Sequence, residues 1–165
     1  MNVQEKYQRL EDTVRQYNPG ANFDLIHAAF VYAEAHHRGQ NRKDGSPFIT
    51  HPLAVAQIVA QELHLDSESI AAALLHDTIE DTDATHEDIA RTFSPTIADI
   101  VEGVSKLTRV QAASKAEEQM ENLRKMLLAM SKDSRVIHIK MADRLHNMRT
   151  MQYQTPEKQK QTSLE

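Results

Sequence analysis

The amino-acid sequence predicts an all-α fold. Apolar residues return every three or four positions along most of its 165 residues, the period of a helix face. No stretch alternates apolar and polar side chains as a half-buried strand does. Glycine occurs only four times, which suits continuous helices. The length points to one domain with its own core, assigned to residues 1–156, followed by a polar tail at 157–165.

Taken in order, Val3, Tyr7, Leu10 and Val14 form the first stripe, and Asn18-Pro19-Gly20 breaks it. Phe23, Ile26, Phe30 and Ala33 form the second, with Gly39 near its C-cap. Residues 39–50 are the longest polar connection, the kind of loop that lies on a surface and carries binding groups. His51-Pro52 opens a third helix with proline at the first helical position, where a missing N–H costs nothing. Leu53, Ala56, Val59 and Leu63 are expected to face inward.

Ser67 is the expected N-cap of a fourth helix, apolar on every side over residues 70–75 and therefore central. Thr85 and Asp88 read as a capping box for a short helix that ends at Phe93. Ser94-Pro95 starts the next, with Ile97, Ile100, Val101 and Val104 inward. Residues 111–116 are weakly patterned and read as a mobile connection, and Met120, Leu123, Leu127 and Met130 make a further stripe. Asp133 or Ser134 caps the last long helix. There Ile137, Met141, Leu145, Met148 and Met151 are expected on the core side, the methionines filling irregular gaps.

The formal charge of −5 argues against a surface that coats nucleic acid, and leaves room for a local basic pocket. The absence of cysteine rules out disulfides and thiolate metal sites and suits a reducing compartment such as the cytoplasm. No run reaches transmembrane length, and the N-terminus lacks the layout of a signal peptide.

The chemistry concentrates at residues 74–81, Leu-Leu-His-Asp-Thr-Ile-Glu-Asp. On one helix His76 would share a face with Glu80, and Asp77 with Asp81. One imidazole and three carboxylates so close together repel one another and desolvate badly, and a divalent cation removes both problems. The reading is a metal held by His76 and Asp77, with Glu80 and Asp81 handling water and protons. His51, after the polar loop, and Asp143, on the last long helix, look like further partners. No single helix brings these together, so three must converge. Two imidazoles and two carboxylates suit Mn²⁺, Fe²⁺ or Zn²⁺ with positions open for water. Arg42, Lys43, Lys140, Arg144 and Arg149 supply cations for an anionic substrate, and an arginine plane can stack on a purine. Singly, each residue has a duller reading: His51 as a helix cap, Asp143-Arg144 as a surface ion pair, Arg42-Lys43 as a solvated pair. His146, one turn after Asp143, is the nearest competing ligand and is left outside the set.

The order His … His-Asp … Asp is the signature of the HD-domain phosphohydrolases. Further motifs resemble the hydrolase domain of the RelA/SpoT alarmone enzymes: residues 36–43 (His-His-Arg-Gly-Gln-Asn-Arg-Lys), 47–52 (Pro-Phe-Ile-Thr-His-Pro), 73–81, 104–108 (Val-Ser-Lys-Leu-Thr), 121–127 (Glu-Asn-Leu-Arg-Lys-Met-Leu) and 140–150. The resemblance runs from about His27 to Pro156. It implies an HD-domain helical bundle over 1–156 that removes the 3′-diphosphate from (p)ppGpp, giving GDP or GTP and pyrophosphate, with Mn²⁺ as cofactor. By motif position it implies His51, His76, Asp77 and Asp143 as metal ligands and Glu80 and Asp81 as the pair that activates water. Arg42, Lys43, Asn147 and Thr150 fall at the nucleotide. Phe48 and Thr50 depart from the family pattern, as does His138 in an apolar slot; none touches the ligand set.

Two rival functions follow from the same residues: an HD phosphohydrolase of another nucleotide, or a nucleotide-binding regulatory module without turnover. The resemblance also implies that longer relatives continue into an alarmone-synthesising domain, so the tail at 157–165 reads as the start of a further region.

Overall fold

A computed structural model describes residues 1–112, 124 and 133–150. The expected stripe of Met120, Leu123, Leu127 and Met130, the expected connection over 113–116, Met151 and the tail at 157–165 therefore lie outside the described residues. Among the described residues every regular element is a helix, with α1 at Val3–Tyr17, α2 at Phe23–His36, α3 at Thr50–Leu63 and α4 at Ser67–Leu75. Then come α5 at Thr78–Asp81, α6 at His86–Thr92, α7 at Pro95–Ala112 and α8 at Arg135–Thr150. The nearest thing to a strand is a single bridge between Asn41 and Pro47. No described helix is long and apolar enough to cross a membrane.

Helix α4 is the centre. Every residue from Ser69 to Leu75 is buried, as a helix apolar on all sides requires. It packs against α2, α3, α7 and α8. Its start is tied to two neighbours. The Asp66 carboxylate accepts from the Ser69 amide at 3.2 Å and pairs with Arg135 at the head of α8 at 2.9 Å. The Ser67 hydroxyl accepts from the Asn22 amide at the head of α2 at 2.9 Å. The N-cap of α4 is thus Asp66, and Ser67 is spent on α2 instead.

Other expectations shift in the same small way. Helix α3 begins at Thr50, so Pro52 stands third in it, still within the first turn where N–H groups lack helical acceptors. Leu63 lies at the exposed end of α3, where the chain leaves through left-handed His64 stacked on Tyr17. Residues 111 and 112 continue α7. Helix α6 has the expected Thr85–Asp88 capping box.

The larger correction concerns α8. Met141 and Met148 are 63% and 59% exposed, and Leu145 is exposed as well. The buried side carries Val136, Ile139, Ala142 and Asp143. Helix α8 meets α7 at Gly103, where a Cβ would come within 2.8 Å of Val136 Cγ2. That close crossing, with the Arg135–Asp66 tie, seats α8 so that Asp143 faces the interior.

Candidate metal centre

Three helices deliver the site. His51 comes from the first turn of α3, His76 and Asp77 from the turn after α4, and Asp143 from the middle of α8. The chain breaks helix after Leu75 and restarts it at Thr78, so residues 76–81 are not one continuous helix. The break turns His76 and Asp77 together towards α3 and α8. A bond from the Asp81 amide to the Asp77 carbonyl, 2.9 Å, keeps Glu80 and Asp81 close behind.

His51 Nε2 lies 2.7 Å from Asp143 Oδ1 and 3.6 Å from Asp77 Oδ2. His76 Nε2 lies 3.0 Å from Asp77 Oδ2 and 3.6 Å from Asp143 Oδ1. His51, His76 and Asp143 are buried, with one donor atom of each within 4.8 Å of the others. The donor set fits a divalent ion on a further ground. His76 Nδ1 is 2.6 Å from the Ala73 carbonyl, so it is the donor and points Nε2 at the cluster. That Nε2 is fully buried yet makes no hydrogen bond, although Asp77 is near enough for an ion pair. A buried ring nitrogen beside two carboxylates and aligned with neither is what a cation would satisfy.

The electrostatics say the same. Burial opposes a charge on His76, but the carboxylates of Asp77 and Asp143 outweigh it and raise its pKa well above the ordinary value. Burial also works against ionised Asp143, yet the hydrogen bond from His51 and the positive charge of His76 hold its carboxyl far below the carboxylate range.

Around this cluster, Lys140 Nζ pairs with Asp143 Oδ2 at 2.9 Å. Lys140 is therefore a partner of Asp143, contrary to its expected place among substrate cations; the three-residue spacing on one helix was the available signal. Asn147 donates to Asp143 Oδ1 at 3.4 Å and accepts from Arg42 at the same distance. The Thr150 hydroxyl lies 3.0 Å from the Asn147 carbonyl and 3.2 Å from that of His146. Glu80 is exposed and accepts from the Ser105 hydroxyl. Ser105 lies in the 104–108 motif that carries the family resemblance, which assigned it no partner. Burial, then the charges of Asp77 and Glu80, push Asp81 up to about 6. His146 is not in the ligand cluster, but its Nδ1 is 2.7 Å from Nδ1 of His51. Burial, then the charges of His51 and Arg42, lower its pKa to about 4, so the ring is neutral.

A cavity of about 430 Å³ is lined by His146, Arg42, Arg149 and Thr150; none of the four expected ligands lines it, and it meets the cluster through His146, which touches His51. Lys6 and Arg9 of α1 also line it, as do the carboxylates of Asp44 and Glu62. Lys43 is exposed in the turn where Gly45, with φ of 89°, folds the loop back on Arg42.

Comparison with known proteins agrees with this architecture. Residues 29–165 match the family model described as HD domain. The chain is 51% identical over 142 residues to "GTP pyrophosphokinase rsh" of Brucella melitensis, covering 86% of this chain and 19% of that protein. It is 46% identical over 159 residues to "Bifunctional (p)ppGpp synthase/hydrolase SpoT" of Escherichia coli, covering 96% of this chain and 22% of that protein. The chain thus spans about a fifth of the length of these relatives. A solved structure described as "A metazoan ortholog of SpoT hydrolyzes ppGpp and plays a role in starvation responses" superposes with a TM-score of 0.63. It shares 29% identity, over 83% of this chain and 78% of that one. The chain belongs to the HD-domain family, and its homologues there are proteins of the RelA/SpoT type.

Proposed function

We propose that the chain is a metal-dependent 3′-pyrophosphohydrolase of (p)ppGpp. The observation that carries this reading is the convergence of His51, His76, Asp77 and Asp143, with an unsatisfied His76 nitrogen, in a homologue of SpoT. These four side chains would hold one divalent ion, for which Mn²⁺ is our choice. Bound there, it would lower the pKa of a coordinated water and polarise a phosphoryl oxygen.

The chain's own groups do the rest. The Ala73 carbonyl fixes the His76 ring, and Lys140 and Asn147 hold the Asp143 carboxylate. Glu80, steadied by Ser105, and Asp81 take up the proton of the attacking water. An Asp81 carboxyl shifted towards neutrality is a better proton acceptor than an ordinary aspartate. The water oxygen joins the phosphorus next to the ribose 3′ oxygen, the bond from that phosphorus to the ribose oxygen breaks, and the proton held by the pair passes to that oxygen, leaving a 3′-hydroxyl and pyrophosphate. Arg42, Lys43, Asn147 and Thr150 meet the nucleotide, with the Arg42–Asn147–Asp143 contacts linking that side to the ion site.

The test is release of pyrophosphate from ppGpp by the chelator-stripped chain, with and without added Mn²⁺. Glu80→Gln with Asp81→Asn should leave Mn²⁺ uptake intact and reduce turnover by about 10²- to 10⁴-fold. Turnover of dGTP with none of ppGpp would reject the substrate, and an unchanged rate in the double variant would reject the roles of the pair.

A further inference from the structure

We propose that His146 is a positioning residue for the metal centre: its Nδ1 accepts the hydrogen bond that holds His51 with Nε2 turned to the ion. This rests on the metal reading given above.

The argument begins with what an imidazole ligand needs. A ring that gives its Nε2 lone pair to a cation carries its proton on Nδ1, and an acceptor at Nδ1 fixes both tautomer and orientation. His76 has such an acceptor in the Ala73 carbonyl at 2.6 Å. Among the described residues no backbone carbonyl plays that part for His51. The partner at its Nδ1 is Nδ1 of His146, 2.7 Å away. The two ring centres are 5.0 Å apart and the planes differ by 29°. The centre distance exceeds the nitrogen distance by about two ring radii, so the rings meet edge to edge with the nitrogens between them. This is hydrogen-bond geometry and not face-to-face stacking.

Without an ion the bond must run the other way. His51 Nε2 lies 2.7 Å from Asp143 Oδ1, a carboxylate that can only accept, so Nε2 carries the proton and His146 Nδ1–H is the donor. Loading the site reverses the direction. His51 Nε2 gives its proton to water, and His146 passes its Nδ1 proton to His51 Nδ1. His146, which lines the cavity, takes a proton from water at its own Nε2. Each ring begins and ends neutral with one proton.

Two measurements on the full chain test this. The first is Mn²⁺ affinity, followed by the electron paramagnetic resonance of the free ion. His146→Phe keeps a ring and removes the acceptor; it should weaken binding by about 10- to 100-fold. His146→Asn returns an oxygen acceptor near the position of Nδ1 and should restore most of the loss. Equal affinity in His146→Phe and the unaltered chain overturns the inference alone, as does an Asn variant as weak as the Phe variant. No Mn²⁺ uptake by the unaltered chain overturns the metal reading and this inference with it. The second measurement needs no variant: ¹⁵N spectra of the histidine rings before and after loading with diamagnetic Zn²⁺. The His51 proton should move from Nε2 to Nδ1, and that of His146 from Nδ1 to Nε2. A loaded site in which His51 Nδ1 carries no proton overturns the inference.

Discussion

Metal and proton compete for the same lone pair on His76. In the metal-free protein Asp77 and Asp143 overcome the burial penalty and keep the ring charged, so its pKa stands well above 6.5. At pH 7 an entering ion must therefore displace that proton. We expect Mn²⁺ uptake to release about one proton per ion at neutral pH. The sign follows from the raised pKa: apparent affinity climbs by about tenfold per pH unit below that pKa and levels off above it. Calorimetric titration in buffers of different ionisation enthalpy measures the release, and a buffer-independent heat would contradict it. At this scale the sequence was informative where residues act through their own type. His51, His76, Asp77 and Asp143 could be proposed as a set because two imidazoles and two carboxylates together suit one borderline-to-hard divalent ion. It was silent where a role comes from a neighbour. A histidine one turn after Asp143 looks like a spare ligand, and only its 2.7 Å approach to His51 makes it a partner. Lys140 looked like a free cation for substrate until the 2.9 Å contact gave it to Asp143.

Helix α8 shows why elements were harder to orient than to find. Its residues 137, 141, 145 and 148 form one apolar line, and Val136, Ile139 and Ala142 form another. Hydropathy favours the first, because the second shares its side with a carboxylate. The structure buries the second and keeps only Ile137 of the first packed against the core, which brings Asp143 to His51 and His76. The demands of the site thus override the preference of the larger apolar side chains for burial. The seat of α8 depends on Gly103, which lets Val136 approach α7. Gly103→Ala sets two effects against each other. Alanine in a helix gains about 1 kcal/mol over glycine. A Cβ at 2.8 Å from a buried, β-branched Val136 overpacks the crossing and costs about 1–3 kcal/mol. We expect the crossing to win, so that Gly103→Ala lowers the melting temperature. In a Val136→Ala background the clash is gone and the same change should raise it. Thermal unfolding of the four chains in this cycle decides it, and the absence of a sign reversal would mean that Gly103 does not set the approach.

At the scale of the molecule, the order of helices and the central place of α4 could be read from periodicity alone. What the sequence could not convey was which distant helix completes the cavity on the far side of His146. Lys6 and Arg9 stand on the polar side of α1, far along the chain from Arg42, and their spacing says only that they are solvated. Folding α1 against α3 brings both to the cavity that Arg42 and Arg149 share. A protein with a net charge of −5 therefore gathers four cations against two carboxylates, Asp44 and Glu62, at this one opening. A volume of about 430 Å³ is in the range of small-ligand sites, and the surplus of positive charge suits a substrate with phosphates at both ends. The part of the nucleotide away from the ion site would then lie near α1, where it is held but not transformed. Interactions of that kind act alike on the ground and transition states, so they govern KM and leave kcat alone. Lys6→Ala combined with Arg9→Ala should raise KM for ppGpp roughly three- to tenfold, as two partly solvated charge contacts allow, with kcat unchanged. Because both side chains sit at an open rim, the difference from the unaltered chain should shrink as salt screens it. Steady-state rates at low and high ionic strength measure both effects. A fall in kcat at constant KM, or a KM effect indifferent to salt, would place the distal end of the nucleotide somewhere other than against α1.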